Sequence, residues 1–419
     1  MPLPFSRRAL QTAPSFSRDF AGLKTLDHGV GPAITFTRAS DATYFDADGV
    51  LQAASNNVPR FDHSGGSSLG LLIEEARTNS IRNSQAGGAV AGTPGTPPTN
   101  WPLTGTAGGL TREIVATGTS NGLAYIDIKF SGIVTAATFQ IALDPESGSQ
   151  VAASSGQTWT NSAYIALISG SVPDCNIGIT ERLADGTFVT ASTTNTASSL
   201  TSALQRFSHT RTLTDATTAR VSAVLRVTAT NGATINFTLR IAAPQLEQGA
   251  FATSYIPTTT AAATRAADSA VVTPISSFYN QSEGTLFAEA PATYAQSADI
   301  VQFAEASSAN NRFVLFFAPT GTLASFQYRT SGVIEVTGGV SVSSGAIAKI
   351  AAAFAANDAR SAVNGTLTTA DTSVTLNSAN THMVLGRLQG AASYLNGHIR
   401  KIAYWPRRLS NTLLQQLTT

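Results

Sequence analysis

Gly118-Thr-Ser120-Asn-Gly122 matches the Gly-x-Ser-x-Gly pattern, in which a sharply turned serine serves as an acyl-transfer nucleophile. That chemistry needs a strand before the serine and a helix after it. Here the alternating run Ala124 to Phe130 follows, so the segment is expected to be a turn between two strands. The five histidines, His28, His63, His209, His382 and His398, lack the short paired spacing of zinc ligands. Asp46-Ala-Asp48-Gly49 is a fragment of a calcium loop without its third acidic position or distal Glu, and an Asp-Gly turn is expected instead. No Walker A loop occurs, and no dinucleotide fingerprint sits in a βαβ context. Paired carboxylates for glycoside cleavage come together only in a fold, and Glu181, Asp185, Glu289 and Glu305 are those that could face a groove. Most surface carboxylates are solvated and idle, so no catalytic residue is named.

The elements that must position these residues are strands. Ile126, Ile128 and Phe130 alternate with Tyr125, Asp127 and Lys129, and Phe139, Ile141 and Leu143 with Thr138 and Gln140. Val221 to Val227 and Ile235 to Ile241 alternate in the same way, with one face of each strand apolar and the other polar. Further on, Arg312 to Ala318, Ala324 to Arg329 and Val333 to Thr337 are strand candidates. Lys349 to Ala356, Ala359 to Val363 and Thr366 to Thr369 are joined by Asn357-Asp358 and Asn364-Gly365, a pair of hairpins whose Asn-Gly tolerates a type I′ turn. Leu409, Leu413, Leu414 and Leu417 fall at helical spacing after Ser410, a candidate cap. The N-terminal part is irregular, with Pro2, Pro4 and Pro14. It offers only Ala33 to Thr37 and Leu69 to Ile73 as strands, and no coiled-coil stalk. The fold class is therefore all-β, two antiparallel β-sandwich (jelly-roll) domains in tandem after a small irregular N-terminal region. The expected boundaries are 1–86 for that region, 87–257 for the first sandwich with its opening loop Gly87 to Pro102, 258–283 for a linker, and 284–419 for the second sandwich.

Composition agrees. The 419 residues suit two or three domains, each long enough for a core. Only 12% are charged, half the roughly 25% of ordinary soluble domains. Lys and Arg (26) nearly balance Asp and Glu (25), and no basic block offers a nucleic-acid surface. Cys175 is the single cysteine, expected to be a small buried hydrophobe. No run approaches the roughly 18 apolar residues of a membrane span, and no apolar segment follows the charged N-terminus, so no membrane insertion or export signal is expected.

Three phrases carry a resemblance. Thr37-Arg38-Ala39 recurs as Thr264-Arg265-Ala266, and with Gly70-Leu-Leu-Ile-Glu-Glu-Ala-Arg-Thr-Asn79 and Pro244-Gln-Leu-Glu-Gln-Gly-Ala-Phe-Ala-Thr-Ser-Tyr-Ile-Pro257 they resemble fibre and spike proteins of tailed bacteriophages, prophages and gene transfer agents. In those proteins a carbohydrate-binding-module-like jelly roll commonly precedes a concanavalin A-like (laminin G-like) domain. The Asn364-Gly365 hairpin and the closing Tyr394 to Leu409 segment resemble parts of the latter. The resemblance implies a virion fibre or spike, on head or tail, that binds host-surface polysaccharide without catalysis as a homotrimer. It would dock on other virion proteins through the N-terminal region, be made in the host cytoplasm and be released by lysis. No cofactor is expected, although an Asp or Asn loop cluster could hold calcium.

For such a partner, aromatic rings stack on sugar C–H faces while polar groups take the hydroxyls. Trp159 leads into a core strand and Trp405 precedes Pro406 in the last one, so both are expected inside; Trp101 is the third tryptophan. The carbohydrate-binding candidates are Tyr125, Asn311 with Arg312, and Tyr328 with Arg329. Two other readings stand beside the adhesin. One is a capsule or exopolysaccharide depolymerase of the same architecture, the other a structural decoration protein without ligand.

Overall fold

The computed structural model describes residues 13–101, 109–135, 138–143, 150–292, 298–318, 323–390 and 393–419. Pro2, Pro4 and Pro102 lie outside them, as do the side chains of Thr138, Phe139 and Gln140. Nearly all regular structure is antiparallel strand, as the alternation requires. The chain forms two compact units, one of Met1–Gly49, Ala53–Ala76 and Ala266–Thr419, the other of Val50–Gln52 and Arg77–Arg265.

The second unit is a sandwich. One sheet runs Gln205–Thr212, Thr158–Gly170, Thr234–Gln248, Leu123–Ile133, Leu110–Ser120 in spatial order. The other runs Thr138–Ala142, Arg220–Thr228, Cys175–Arg182, Phe188–Asn195, with Val151–Ala152 also on Arg220–Thr228. The apolar members of the alternation meet in one core, among them Ile126, Ile128, Phe130, Ile177, Ile179, Leu225, Phe237 and Leu239. Trp159, Trp101 and Cys175 are buried with them, and burial pushes the Cys175 thiol up to about 11. Ser120 ends a strand and Asn121-Gly122 turn at positive φ into the next, so the serine motif is the expected turn.

The Pro244 to Pro257 phrase continues from the strand Thr234–Gln248 and turns back over it. Glu247 accepts from the Thr253 N–H at 3.0 Å, and the Gln245 side chain holds Ser254 and Ile256. Arg265 is buried against the hydroxyls of Thr253 and Ser254, while Arg77, beside side-chain-free Gly249, lies over the Phe251 ring at 4.9 Å. The phrase is a tight strap of this unit.

The first unit is also a sandwich. A seven-stranded sheet runs Thr35–Thr37, Ser269–Val272, His382–Leu385, Ala298–Ala304, Arg312–Phe317, Leu323–Thr330, Val333–Ser341. A six-stranded sheet runs Phe16–Asp19, Lys401–Trp405, Glu283–Pro291, Ile347–Ala355, Asp358–Val363, Thr366–Leu367. Phe303, Phe313, Leu315 and Phe326 from the one meet Leu286, Ile350, Phe354 and Tyr404 from the other. The expected hairpins form, with Asn357, Asn364 and Gly365 at positive φ. The helix Asn411–Thr418, capped by Ser410 Oγ on the Leu413 N–H, lays Leu414 against Phe287, Ala351 and Trp405.

Two boundaries differ from the sequence reading. Residues 13–49 and 53–76 are not a separate region: Phe16 and Phe20 are wholly buried in the core of this unit, and its strands edge both sheets. Residues 258–283 are not a free linker, because Ala263–Arg265 pairs with Arg77–Asn79 in one unit and Ser269–Val272 joins the seven-stranded sheet of the other. In both cases strands of three or four residues are too short to show a period, and their partners lie far away in sequence.

Four such distant segments meet on one carboxylate. Asp268 accepts from Arg60 Nη2 at 2.6 Å, Arg38 Nη1 at 3.2 Å and the Glu74 N–H at 2.9 Å, while Glu74 takes Arg60 Nη1 at 2.7 Å. The side chains of Asp268, Arg38 and Arg60 are fully shielded. Two cations against two anions leave the group neutral, and removing one partner leaves a buried charge alone. Asp268→Asn is therefore expected to lower the unfolding free energy by about 3–5 kcal/mol in urea titrations. Phe16→Ala is expected to cost about 3–5 kcal/mol in the same measurement, whereas a separate N-terminal region would leave the transition unmoved.

Candidate functional site

Strand alternation sends Phe313, Leu315 and Phe317 into the core and therefore Arg312, Val314 and Phe316 to the opposite face of the seven-stranded sheet. Register assembles that face in rows. Val384, Gln302, Val314, Gln327 and Thr337 stand side by side across five strands. On one flank run Asp299, Phe316, Ser325 and Gly339; on the other His382, Ala304, Arg312, Arg329 and Ile334.

Apart from exposed Thr337 at its edge, the middle row is buried although it points away from the core, with Gln302, Val314 and Val384 at 0% exposure. Gln302 Nε2 donates to the Arg387 carbonyl at 2.6 Å, and its Oε1 has no partner among the described residues. Arg312 Nη2 donates to Gln327 Oε1 at 2.8 Å. Burial lowers the Arg312 pKa; Asp299 opposes the shift and Arg329 adds to it. Asp299 Oδ2 is also unpartnered among the described residues, and burial pushes this carboxyl up to about 6 against the pull of Arg312. Phe316 is only half-buried and lies outside the core cluster, which leaves ring surface exposed between Asp299 and Ser325. A partly open ring on the same sheet face as the partly exposed Arg312 and Arg329 can hold a ligand that is apolar on one side and polar on the other.

Of the sequence candidates, Arg312 and Arg329 are brought together, opposite each other on adjacent strands. Tyr328 is corrected: alternation turns it inward, it is 0% exposed, its hydroxyl accepts from the Asn377 N–H, and burial raises its pKa to about 12. Asn311 builds a turn, donating to Glu305 at 3.3 Å and accepting from the Ser331 N–H at 2.8 Å. Tyr125, in the other unit, already carries the Arg240 guanidinium 3.6 Å from its ring centre, fixed there by two hydrogen bonds to Asp127. Its edge lies against Gly118, where a Cβ would come within 2.9 Å of the hydroxyl. Sequence reasoning missed Asp299, Gln302, Phe316 and Gln327. The alternation of Arg312, Val314 and Phe316 was visible; which sides of neighbouring strands shared their face was not.

The four carboxylates considered for cleavage are engaged locally. Glu181 is buried against Arg211 and Thr218, Glu289 holds Arg400 at 2.8 Å, Glu305 accepts from Ser308 and Asn311, and Asp185 caps its own turn through the Thr187 N–H. Asp46 does likewise with the Asp48 N–H. Among the described residues no three His, Cys, Asp or Glu side chains group as a metal site, and no helix is long and apolar enough to cross a membrane.

Because the Asp299 pKa is raised in the folded state, its contribution to stability is whole below the unfolded value near 4 and is lost as pH rises through about 6. Asp299→Asn is expected to remove that pH-dependent loss and to gain up to about 3 kcal/mol at pH 8, read from urea midpoints between pH 4 and pH 8.

Residues 264–414 match the family model of the concanavalin A-like lectin/glucanases superfamily, a laminin G-type domain. No curated protein matches the chain. Among solved structures, the sialidase carbohydrate-binding module of Ruminococcus gnavus bound to α2,3-sialyllactose is similar at 16% identity over 33% of this chain and 84% of that one, with a TM-score of 0.30. Domain 4 of the Geobacillus stearothermophilus arabinanase AbnA, in complex with arabinotriose, is similar at 11% identity over 40% and 82%, with a TM-score of 0.30. The LG4-5 domains of the mouse laminin α1 chain show 12% identity over 71% and 95%, with a TM-score of 0.25. These likenesses are weak, and the all-β fold rests on the strands; residues 264–414 are similar to the concanavalin A-like superfamily.

Proposed function

We propose that this protein is a bacteriophage-type fibre or spike component that adheres to host-surface polysaccharide without cleaving it. The outer face of the seven-stranded sheet would be the glycan site. One observation supports that site: half-open Phe316 stands between Asp299 and Ser325, next to Gln302 and Gln327, within the segment that matches the lectin and glucanase superfamily. The virion part of the reading rests on the three sequence phrases. Contact with other virion proteins would fall to the exposed stretch 22–33, where Leu23 is 56% and Val30 46% exposed. A homotrimer would present several weak sites at once and raise avidity by orders of magnitude.

The test is size-exclusion chromatography with light scattering on the purified protein mixed with surface polysaccharides of candidate hosts. Co-elution with polymer of unchanged length is the expected outcome, and Phe316→Ala is expected to bind about tenfold more weakly with an unaltered unfolding transition. A shortening polymer would replace the adhesin by a depolymerase. Absence of binding to every polymer would leave the decoration protein.

A further inference from the structure

We propose that the glycan taken by this face is acidic, a polysaccharide of carboxylate-bearing sugars read by Arg312 and Arg329. The inference rests on the glycan-binding reading above and narrows its ligand. Arg312 and Arg329 stand directly opposite each other on adjacent strands. Like charges so placed repel, and a fold keeps them at a cost unless an anion answers them. Among the described residues neither guanidinium has a carboxylate within ion-pair distance. Arg312 spends one nitrogen on Gln327, and Asp299 acts on it only through space. Glu305 has its carboxylate taken by Ser308 and Asn311, and Glu335, the acidic residue nearest Arg329 in sequence, accepts from the Thr375 N–H at 3.1 Å. Two guanidiniums against Asp299 leave one positive charge unmatched, which a single carboxylate closes.

The surroundings point to a sugar acid rather than a free anion. A guanidinium fork accepts a planar carboxylate through two parallel hydrogen bonds. The sugars that follow it along the polymer would then lie toward the open ring of Phe316. A free carboxylate would leave that ring unused. The uncharged middle row, with Gln302 and Gln327 amides flanking Val314, separates the cationic flank from the aromatic one, and Arg312 and Phe316 stand four residues, about 13 Å, apart along the strand. That length fits two or three consecutive sugars of a polymer, with an acid at one end.

The probes are polygalacturonate, its carboxyl-reduced form, and galacturonate monomer, measured against the intact protein by biolayer interferometry or calorimetry. Polygalacturonate is expected to bind at least about tenfold more tightly than the reduced polymer, a preference that shrinks as salt rises. Arg312→Gln and Arg329→Gln are each expected to abolish that preference while leaving residual binding to the reduced polymer. Arg329→Gln serves alone if the more enclosed Arg312 variant does not fold, and Arg329→Lys is expected to recover only part of the preference. Equal affinity for the two polymers would overturn the acidic-glycan assignment yet leave glycan binding standing. Preference retained in both glutamine variants would overturn the role of the arginine pair. Monomer binding as tightly as polymer would show a free-anion site instead, and binding of no polymer, charged or neutral, would sink the glycan reading and this one with it.

Discussion

The Asp268 carboxylate is the point at which the first unit closes. Its two oxygens and its neighbour Glu74 bind guanidiniums from residues 38 and 60, so three chain segments that are hundreds of residues apart from the fourth converge on one neutral, water-free group. Such a group stabilises less than an apolar core of the same volume, but it tolerates no missing member. It also sits where the chain crosses from one unit to the other. Asp268 follows Arg265 by three residues, and Arg265 is buried in the other unit. The repeated Thr-Arg-Ala phrase thus delivers one arginine to each interior.

A chain with so few charges uses its arginines in unusual places. Arg18 is 2% exposed and meets the carbonyls of Leu26 and Val30 at 2.7 Å each, holding the irregular stretch after the first strand where no ladder forms. Arg38 binds the carbonyls of Ser40, Ala54 and Ser55 besides Asp268. A guanidinium has five donors in a rigid fork, so one side chain can satisfy several loop carbonyls that would otherwise be buried without partners. Arg312 and Arg329 depart from this pattern. Among the described residues Arg312 bonds a side-chain amide, Gln327 Oε1, and both arginines are partly exposed on a sheet face rather than enclosed in an interior.

The two sandwiches assign different tasks to their outer faces. In the six-stranded sheet, Phe287, Ala351, Ala353 and Trp405 are roofed by the C-terminal helix through Leu414. In the second unit, Arg240 covers Tyr125, and Arg206 both approaches the Tyr164 ring and donates to the strap carbonyl of Thr253. The seven-stranded sheet instead presents a mixed row of amide, carboxyl, guanidinium and ring.

Local period was readable in the residues: the strands of both sandwiches, the Asn-Gly hairpins, the capped last helix and the inward Trp159 follow from alternation and turn chemistry that neighbours along the chain set, whereas Trp405 is buried on the outer face of its sheet, under the last helix. Arg312 and Arg329 were also named from the sequence, and register sets them opposite each other. What the sequence could not decide depends on partners distant in the chain. Phe16–Asp19 pairs with Lys401–Trp405 and Thr35–Thr37 with Ser269–Val272, and strands of four and three residues have too little pattern to announce such pairings. Tyr328 looked like a surface ring beside Arg329, yet adjacent residues in a strand point opposite ways, and only the core contact of Phe313, Tyr328 and Phe354 fixed which of the two turned inward. The site is likewise a product of register: Asp299, Gln302, Phe316 and Gln327 become neighbours because three strands align, a relation that composition and spacing do not encode.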